Sequence, residues 1–392
     1  MNSIHSKTLA LLLAVMALVP LHQAQAGNRE KAKRMYDRLT GTPPSPELLD
    51  QLTTMLGSSD AATTAMFIIN KDRAHSSAFY NVTLKNFATP WTNRDQSVFA
   101  PLNDYTATVI GMVRDDKDFR GILSDDVLYV GNATPGYSPT DNAHYEVLEI
   151  SHADLRVVLQ ERMQSSLTGL PADATAGVIT SRAASQAFFI AGTNRAMFRF
   201  TMLNHLCRDM EQITDTSRPP DRIRQDVTRS PGGDSSVFNN NCVGCHNVMD
   251  SLAQAFAYYD FSVAQGRLLY TPDQVQPKYL INSDNFKPGY VTPDDSWENR
   301  MRLPGKNTLL GWAGADGRVR NGRGAKSLGQ ELAGSEAFAQ CQVEKVFRAV
   351  CFRSPQDDAD RQERDRIVGV FKSSGYHMKN VFAQTAAWCA GD

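Results

Sequence analysis

Apolar residues recur at intervals of three and four along most of the chain, the spacing that gathers them on one face of an α-helix. This pattern predicts helices over Asn28–Leu39, Glu47–Leu56, Ala61–Lys71, Leu102–Arg114, Lys117–Leu128, Ala153–Ser166 and Ala184–Met210. It resumes over Val243–Tyr259 and closes with Ser335–Phe352, Asp357–Lys372 and Tyr376–Trp388. Ser335 stands where a helix cap is needed, and Gly375 breaks the last two helices apart. Phe79–Trp91 is aromatic-rich without a regular period. Gly131–Pro139 and Tyr270–Gly329 are dense in turn formers and predict loops. Alternating runs are few, so the expected fold class is mainly α with scarce strands. No internal repeat is visible.

The first 26 residues follow a different pattern. Met1–Lys7 is short and carries one lysine, Thr8–Leu21 is almost wholly apolar, and Ala24-Gln25-Ala26 is a small-residue cleavage site. This reads as a secretory signal peptide, with a mature chain from about Gly27 that is periplasmic or secreted. The apolar run is short for a membrane span, and no later stretch is apolar enough, so no membrane insertion is expected after signal removal. Prolines and polar residues over 216–236 read as a linker. The expected organisation is a helical domain of unassigned role at 27–215, that linker, and a second helical domain at 237–392.

The chain has 392 residues, 21% of them charged, and a formal net charge of −1. That balance gives no argument for a nucleic-acid partner. Chemistry enters with the stretch "NNNCVGCHNVMD", which sets Cys242, Cys245 and His246 in a C-x-x-C-H spacing. On a helix, positions i, i+3 and i+4 share a face. Both thiols can then form thioethers with the two vinyl groups of one haem, and His246 can reach the iron as proximal ligand. Val243 and Gly244 are small, which would let the helix start press on the porphyrin edge. A thioredoxin-like C-x-x-C would want a preceding strand, and a zinc knuckle would want a second Cys or His pair. Neither is visible. The expected cofactor is one covalently attached haem c.

Four cysteines remain, Cys207, Cys341, Cys351 and Cys389, an even number suited to an oxidising compartment. If Ser335–Phe352 is one helix, Cys341 and Cys351 lie about 15 Å apart along its axis. A disulfide needs Cα atoms within about 7 Å. Cys207 is therefore expected to pair with Cys341 or Cys351 and Cys389 with the other, Cys351–Cys389 being favoured.

The distal iron ligand is open at this level. Met249 lies on the proximal helix, in the apolar stripe Met249, Leu252, Phe256, Tyr259. In small class I c-type cytochromes the distal ligand is a methionine on a downstream loop, and Met301 is the candidate of that kind. His377 and Met378 are its rivals, and an open site is the further alternative. Arg300, Arg302, Lys306 and Trp312 flank Met301 as possible propionate partners. His75, His144, His152 and His205 are scattered and read as structural. Asn81-Val-Thr83 matches a glycosylation acceptor. No nucleophile-elbow, zincin or phosphate-loop motif is present.

The segments "CVGCHNVMDSLAQAFAYYDF", "SLGQELAGSEAFAQCQVEKVFRAVCFRSP" and "FKSSGYHMKNVFAQTAAWC" resemble the planctomycete-type cytochrome-domain family. "AGVITSRAASQAFFIAGTNRAMFRFTMLNHLC" resembles the stretch that precedes that family's haem motif. The likeness runs from about Ala176 to the end, with a longer distal loop and a divergent first half. It implies a secreted single-haem c-type protein with a cytochrome c-like helical domain at 237–392. One-electron transfer to a redox partner protein is then the leading expectation. A haem peroxidase or oxidase with an open distal site, or a haem-based sensor, are the alternatives.

Overall fold

In a computed structural model of the chain, the residues described are 27–71, 77–190, 192–280, 289–305, 307–312 and 317–391. The expected signal peptide, His75 and Lys306 lie outside them. The fold is mainly helical, at 59% helix and 8% strand.

Three helices open the described chain: α1 (Asn28–Thr40), α2 (Pro46–Ser58) and α3 (Ala61–Lys71). Local chemistry sets their ends. Gly41 closes α1 in the left-handed conformation, and the Ser45 side chain accepts from the Leu48 amide to start α2. Phe79–Trp91, expected to be irregular, is helical throughout, beginning with a π-helical turn at Phe79–Leu84. Its rings are the reason. Phe79 and Phe87 pack edge-on against Phe382 at 5.1 and 5.4 Å, and Phe87 meets Trp91 at 4.8 Å. Tertiary packing supplies the order that a sequence period does not.

Helix α4 (Asp104–Arg114) is buried along nearly its whole length and is capped by Asn103. The helix expected over Lys117–Leu128 is instead a single 3₁₀ turn, Phe119–Leu123, followed by β1 (Leu128–Val130). Ala153–Ser166 likewise holds a turn, Leu155–Val158, then β2 (Gln160–Arg162), which pairs antiparallel with β1, and the start of a further turn, Gln164–Thr168. The competing interactions are specific. The Thr108 hydroxyl accepts the Tyr129 amide, and Arg114 donates to the carbonyls of Arg156 and Leu159. The expected helix Ala184–Met210 is broken into α5 (Arg182–Phe188) and α6 (Arg195–Leu206). Asn194, at φ 58°, makes the break, and its amide donates to the carbonyls of Phe256 and Tyr259.

Helix α7 (Val243–Ala253) ends in a 3₁₀ turn and leads into the hairpin β3 (Tyr259–Ser262) and β4 (Arg267–Tyr270). A third antiparallel pair joins β5 (Ser296–Asn299) to β6 (Arg320–Arg323). The chain closes with α8 (Gly324–Ala333), α9 (Glu336–Cys351), α10 (Asp358–Ser373) and α11 (Met378–Cys389). Ser335 and Asp357 cap α9 and α10, and Gly375 turns the chain at φ 79°.

The stretches expected to be separate domains share one apolar cluster that runs from Ala32 to Ala390. Helix α11 packs on α1 and α3 as well as on α9 and α10. Nor is 216–236 a spacer, because it buries Arg218, Ile223 and Arg224. Two disulfides, Cys207–Cys341 and Cys351–Cys389, have Cα separations of 5.2 and 5.5 Å. They bring α6 to α9 and α9 to α11, the pairing favoured from the sequence.

Beside the second disulfide, Asp360 accepts from Arg353, the Gln356 amide and Trp388 Nε1. Burial alone would raise its carboxyl, but these donors outweigh it and bring it down to about 2. A lowered carboxylate stabilises the fold above its unfolded value of about 3.9, and that contribution is lost as pH falls through about 2. Asp360→Asn is expected to cost about 1 kcal/mol at pH 7 after solvent screening, a gap that closes toward pH 2. Urea unfolding at both pH values measures it. A gap that does not change with pH would contradict this account of Asp360.

Candidate haem-attachment site

Helix α7 is reached through a short capped turn and a π-helical turn. Asp234 caps Ser235–Val237, and Phe238–Cys242 then widens before α7 begins. Cys242, Cys245 and His246 are half-buried at the start of α7, whereas Asn247 to Ala253 are buried. Met249 lies in the apolar core, as its place in the stripe predicted.

The underside of the turn is held by 214–216. A Cβ on Gly244 would stand 2.2 Å from Thr214 Oγ1, so a larger residue there would have to displace that side chain. The Gly244 carbonyl accepts the Asp215 amide at 3.1 Å. The small residue at 244 thus allows the close approach of 214–216. Asn247 donates to the carbonyls of Asp215 and Arg218 at 3.3 and 2.7 Å. Cys245 Sγ reaches the Met210 carbonyl at 3.6 Å, and burial raises its thiol.

The thiols of Cys242 and Cys245 are free, while the other four cysteines are bridged. His246 Nδ1 lies 3.2 Å from both carboxylate oxygens of Asp250, one helical turn further on. Asp250 is 1% exposed and is fixed by two arginines. Arg195, the first residue of α6, donates Nε to Oδ1 at 2.7 Å and Nη2 to Oδ2 at 2.9 Å. The Arg224 amide donates to Oδ2 at 3.3 Å, and its guanidinium, 3.7 Å from Oδ1, also bonds Thr193 Oγ1 at 2.9 Å. Asp226 closes the cluster as a second partner of Arg195, with Nη2 to Oδ1 at 2.8 Å.

Burial by itself would raise the Asp250 carboxyl, but the charges of Arg195 and Arg224 hold it well below the usual range. Burial works against Arg195 too, and the two carboxylates overcome it and raise that guanidinium. Arg224, 1% exposed with Asp250 as its nearest carboxylate, is lowered by burial. Two arginines and two aspartates are charge-balanced, which is how a buried group of ions is tolerated.

The residues present fit a covalently held haem. Two unbridged thiols and an imidazole occupy i, i+3 and i+4 of one helix start. With Nδ1 engaged by a carboxylate, Nε2 has no hydrogen-bond partner among the described residues. The same residues do not converge on a point as a bare-ion site would. Among the described residues, no group of three or more such ligands is placed to hold a metal ion.

Met301 is buried just after β5, the strand that packs on α7. Its amide is fixed by the Asn299 side chain at 3.1 Å. His377 and Met378 begin α11, whose partners include α1, α3, α4, α9 and α10, whereas α7 packs on α6 and β5. Arg300 is engaged by Asp221 and Glu298, and Arg302 by Glu331 at 2.6 Å. The Trp312 indole donates to the Glu331 carbonyl. These side chains are committed to protein partners.

Two of the scattered histidines have structural side-chain partners. His144 links the Gly131 amide to the Pro135 carbonyl, and His205, buried, bonds the Tyr105 hydroxyl at 2.7 Å. His152 is exposed. Asn81 braces the backbone, donating to the Ala153 carbonyl and accepting from the Leu155 amide. Sequence reading missed Asp250, Arg195 and Arg224. Only the His246–Asp250 spacing of four, on a predicted helix, could have pointed to the first. Comparison with models of known families, with curated proteins and with solved structures finds no match for this chain.

Proposed function

We propose that the protein is an exported single-haem c-type cytochrome that passes one electron at a time to or from a redox partner protein. One observation carries the reading. The two cysteines of the C-x-x-C-H motif are free in a chain whose other cysteines are bridged, and the adjacent imidazole has one nitrogen engaged and one available. Disulfides fit an oxidising compartment and so support export. No helix among the described residues is long and apolar enough to cross a membrane.

A haem held here supplies a one-electron ferric–ferrous couple. Cys242 and Cys245 would anchor it through thioethers, and His246 would present Nε2 to the iron. Met301 would be the further side chain to hold the iron in this reading. The two thioethers would tie the group to the start of α7, which α6 and β5 hold in place.

A second reading, a haem enzyme with an open distal position, draws support from Asp250. A carboxylate on the second nitrogen makes an imidazole a stronger electron donor. The reduced spectrum with and without carbon monoxide separates the two. The cytochrome reading predicts a six-coordinate spectrum that carbon monoxide leaves unchanged, and a carbon monoxide-binding, high-spin form in Met301→Ala. A wild-type protein that binds carbon monoxide strongly would contradict the carrier reading. A Met301→Ala spectrum like wild type would remove Met301 as ligand.

A further inference from the structure

The arrangement around Asp250 is larger than a haem-anchoring helix requires. Its side chain, fully shielded from solvent, gathers Arg195 from the start of α6, Arg224 from 216–236, and His246 from its own helix. Both carboxylate oxygens stand at the same 3.2 Å from His246 Nδ1, and Arg195 grips the same two oxygens from another side. Arg195 is itself steadied by Asp226, and Thr193 bridges Asp226 to Arg224. The carboxylate is thus held against movement by chain segments far apart in sequence. An ion pair serving stability alone has no need of the imidazole.

Resting on the haem reading above, we propose that Asp250 is the positioning residue for His246, setting both its orientation and its donor strength toward iron. A carboxylate that accepts the Nδ1–H fixes the tautomer in which Nε2 carries the lone pair. It also moves electron density onto the ring, which favours ferric over ferrous iron and lowers the reduction potential. Arg195, Arg224 and Asp226 act through Asp250 by holding it in register. This gives a role to 216–236 and to the start of α6: they build the second layer of the site.

Two measurements test the proposal. The first compares potentials of holoprotein variants. Asp250→Asn is expected to raise the ferrous-to-ferric ratio at a fixed ambient potential by at least about tenfold, equivalent to about 59 mV for one electron. Asp226→Asn removes the same charge from the same arginine but does not touch His246, and is expected to change the ratio less than about threefold. Equal shifts in the two, or none in Asp250→Asn, would overturn the proposal. The second needs no variant and decides the matter if Asp250→Asn does not fold. In the reduced, ¹⁵N-histidine-labelled wild-type protein, the His246 Nδ1–H should resonate downfield and exchange slowly with solvent. A fast-exchanging proton at an ordinary shift would overturn it. Holoprotein that carries covalent haem yet gives the negative results defeats this inference alone. A protein with no covalent haem defeats the reading beneath it.

Discussion

Replacing both Cys242 and Cys245 with alanine is expected to abolish retention of haem through denaturation and acid–solvent extraction, while wild-type protein keeps it. The reason is covalent. With the thiols removed, only the bond to His246 would hold the group, and an imidazole–iron bond does not survive acid. The single variants should differ from the double, each retaining haem by one thioether, with a spectrum shifted by the vinyl group left unsaturated. Neither thiol is in a disulfide, and the other four cysteines form their own pairs. The remaining structure should tolerate the change, because Cys242 and Cys245 are half-buried at a helix start and sit outside the fully buried part of α7. Haem staining after denaturing electrophoresis reads the result. Equal staining of the double variant and wild type would sink the attachment assignment.

Opening the Cys207–Cys341 bridge by Cys207→Ser with Cys341→Ser should be the most damaging change to stability. The bridge closes a sequence separation of 134, and the entropy it removes from the unfolded chain is worth about 5 kcal/mol. Cys351–Cys389 closes a separation of only 38, worth about 4 kcal/mol on the same basis. Domains are commonly stable by only about 5–15 kcal/mol, so either loss is large. The first has a further consequence. Cys207 ends α6 in the left-handed conformation, and Arg195 begins the same helix. Loosening one end of α6 is expected to loosen the grip on Asp250 at the other. Urea unfolding of the two double variants should show the larger loss for Cys207–Cys341. A loss under about 1 kcal/mol there would contradict the role given to this bridge.

Much of the helical framework was legible because its signals are local. Ser45, Ser335 and Asp357 cap helices through their own side chains, and Gly41 and Gly375 end them by adopting conformations that other residues resist. Lys117–Leu128 and Ala153–Ser166 carry the same apolar spacing yet fold otherwise. Their backbone amides and carbonyls bond partners distant in sequence, such as Thr108 and Arg114, which no local period can reveal. The expected linker failed as a spacer for a related reason. Its prolines and polar residues mark irregular backbone correctly, but irregular backbone can still be buried, and Arg224 is buried because Asp250 and Thr193 receive it.

The candidate site divides in the same way. Cys242, Cys245 and His246 are adjacent in sequence and were readable from spacing alone. The layer behind them joins residue 195, residues 224 and 226, and residue 250, and only the fold brings these together. The C-x-x-C-H spacing set Cys242 and Cys245 apart, and helix length excluded a Cys341–Cys351 bond among the other four cysteines, an argument from geometry that the structure bears out.

The central claim is that Cys242 and Cys245 carry one haem. Its most direct measurement is the intact mass of the purified protein, produced with export and c-type maturation and denatured before analysis, followed by mass mapping of the fragment around Asn239–Asp250. The account predicts an added mass of one haem, located on Cys242 and Cys245. An unmodified mass with both thiols still titratable would contradict it.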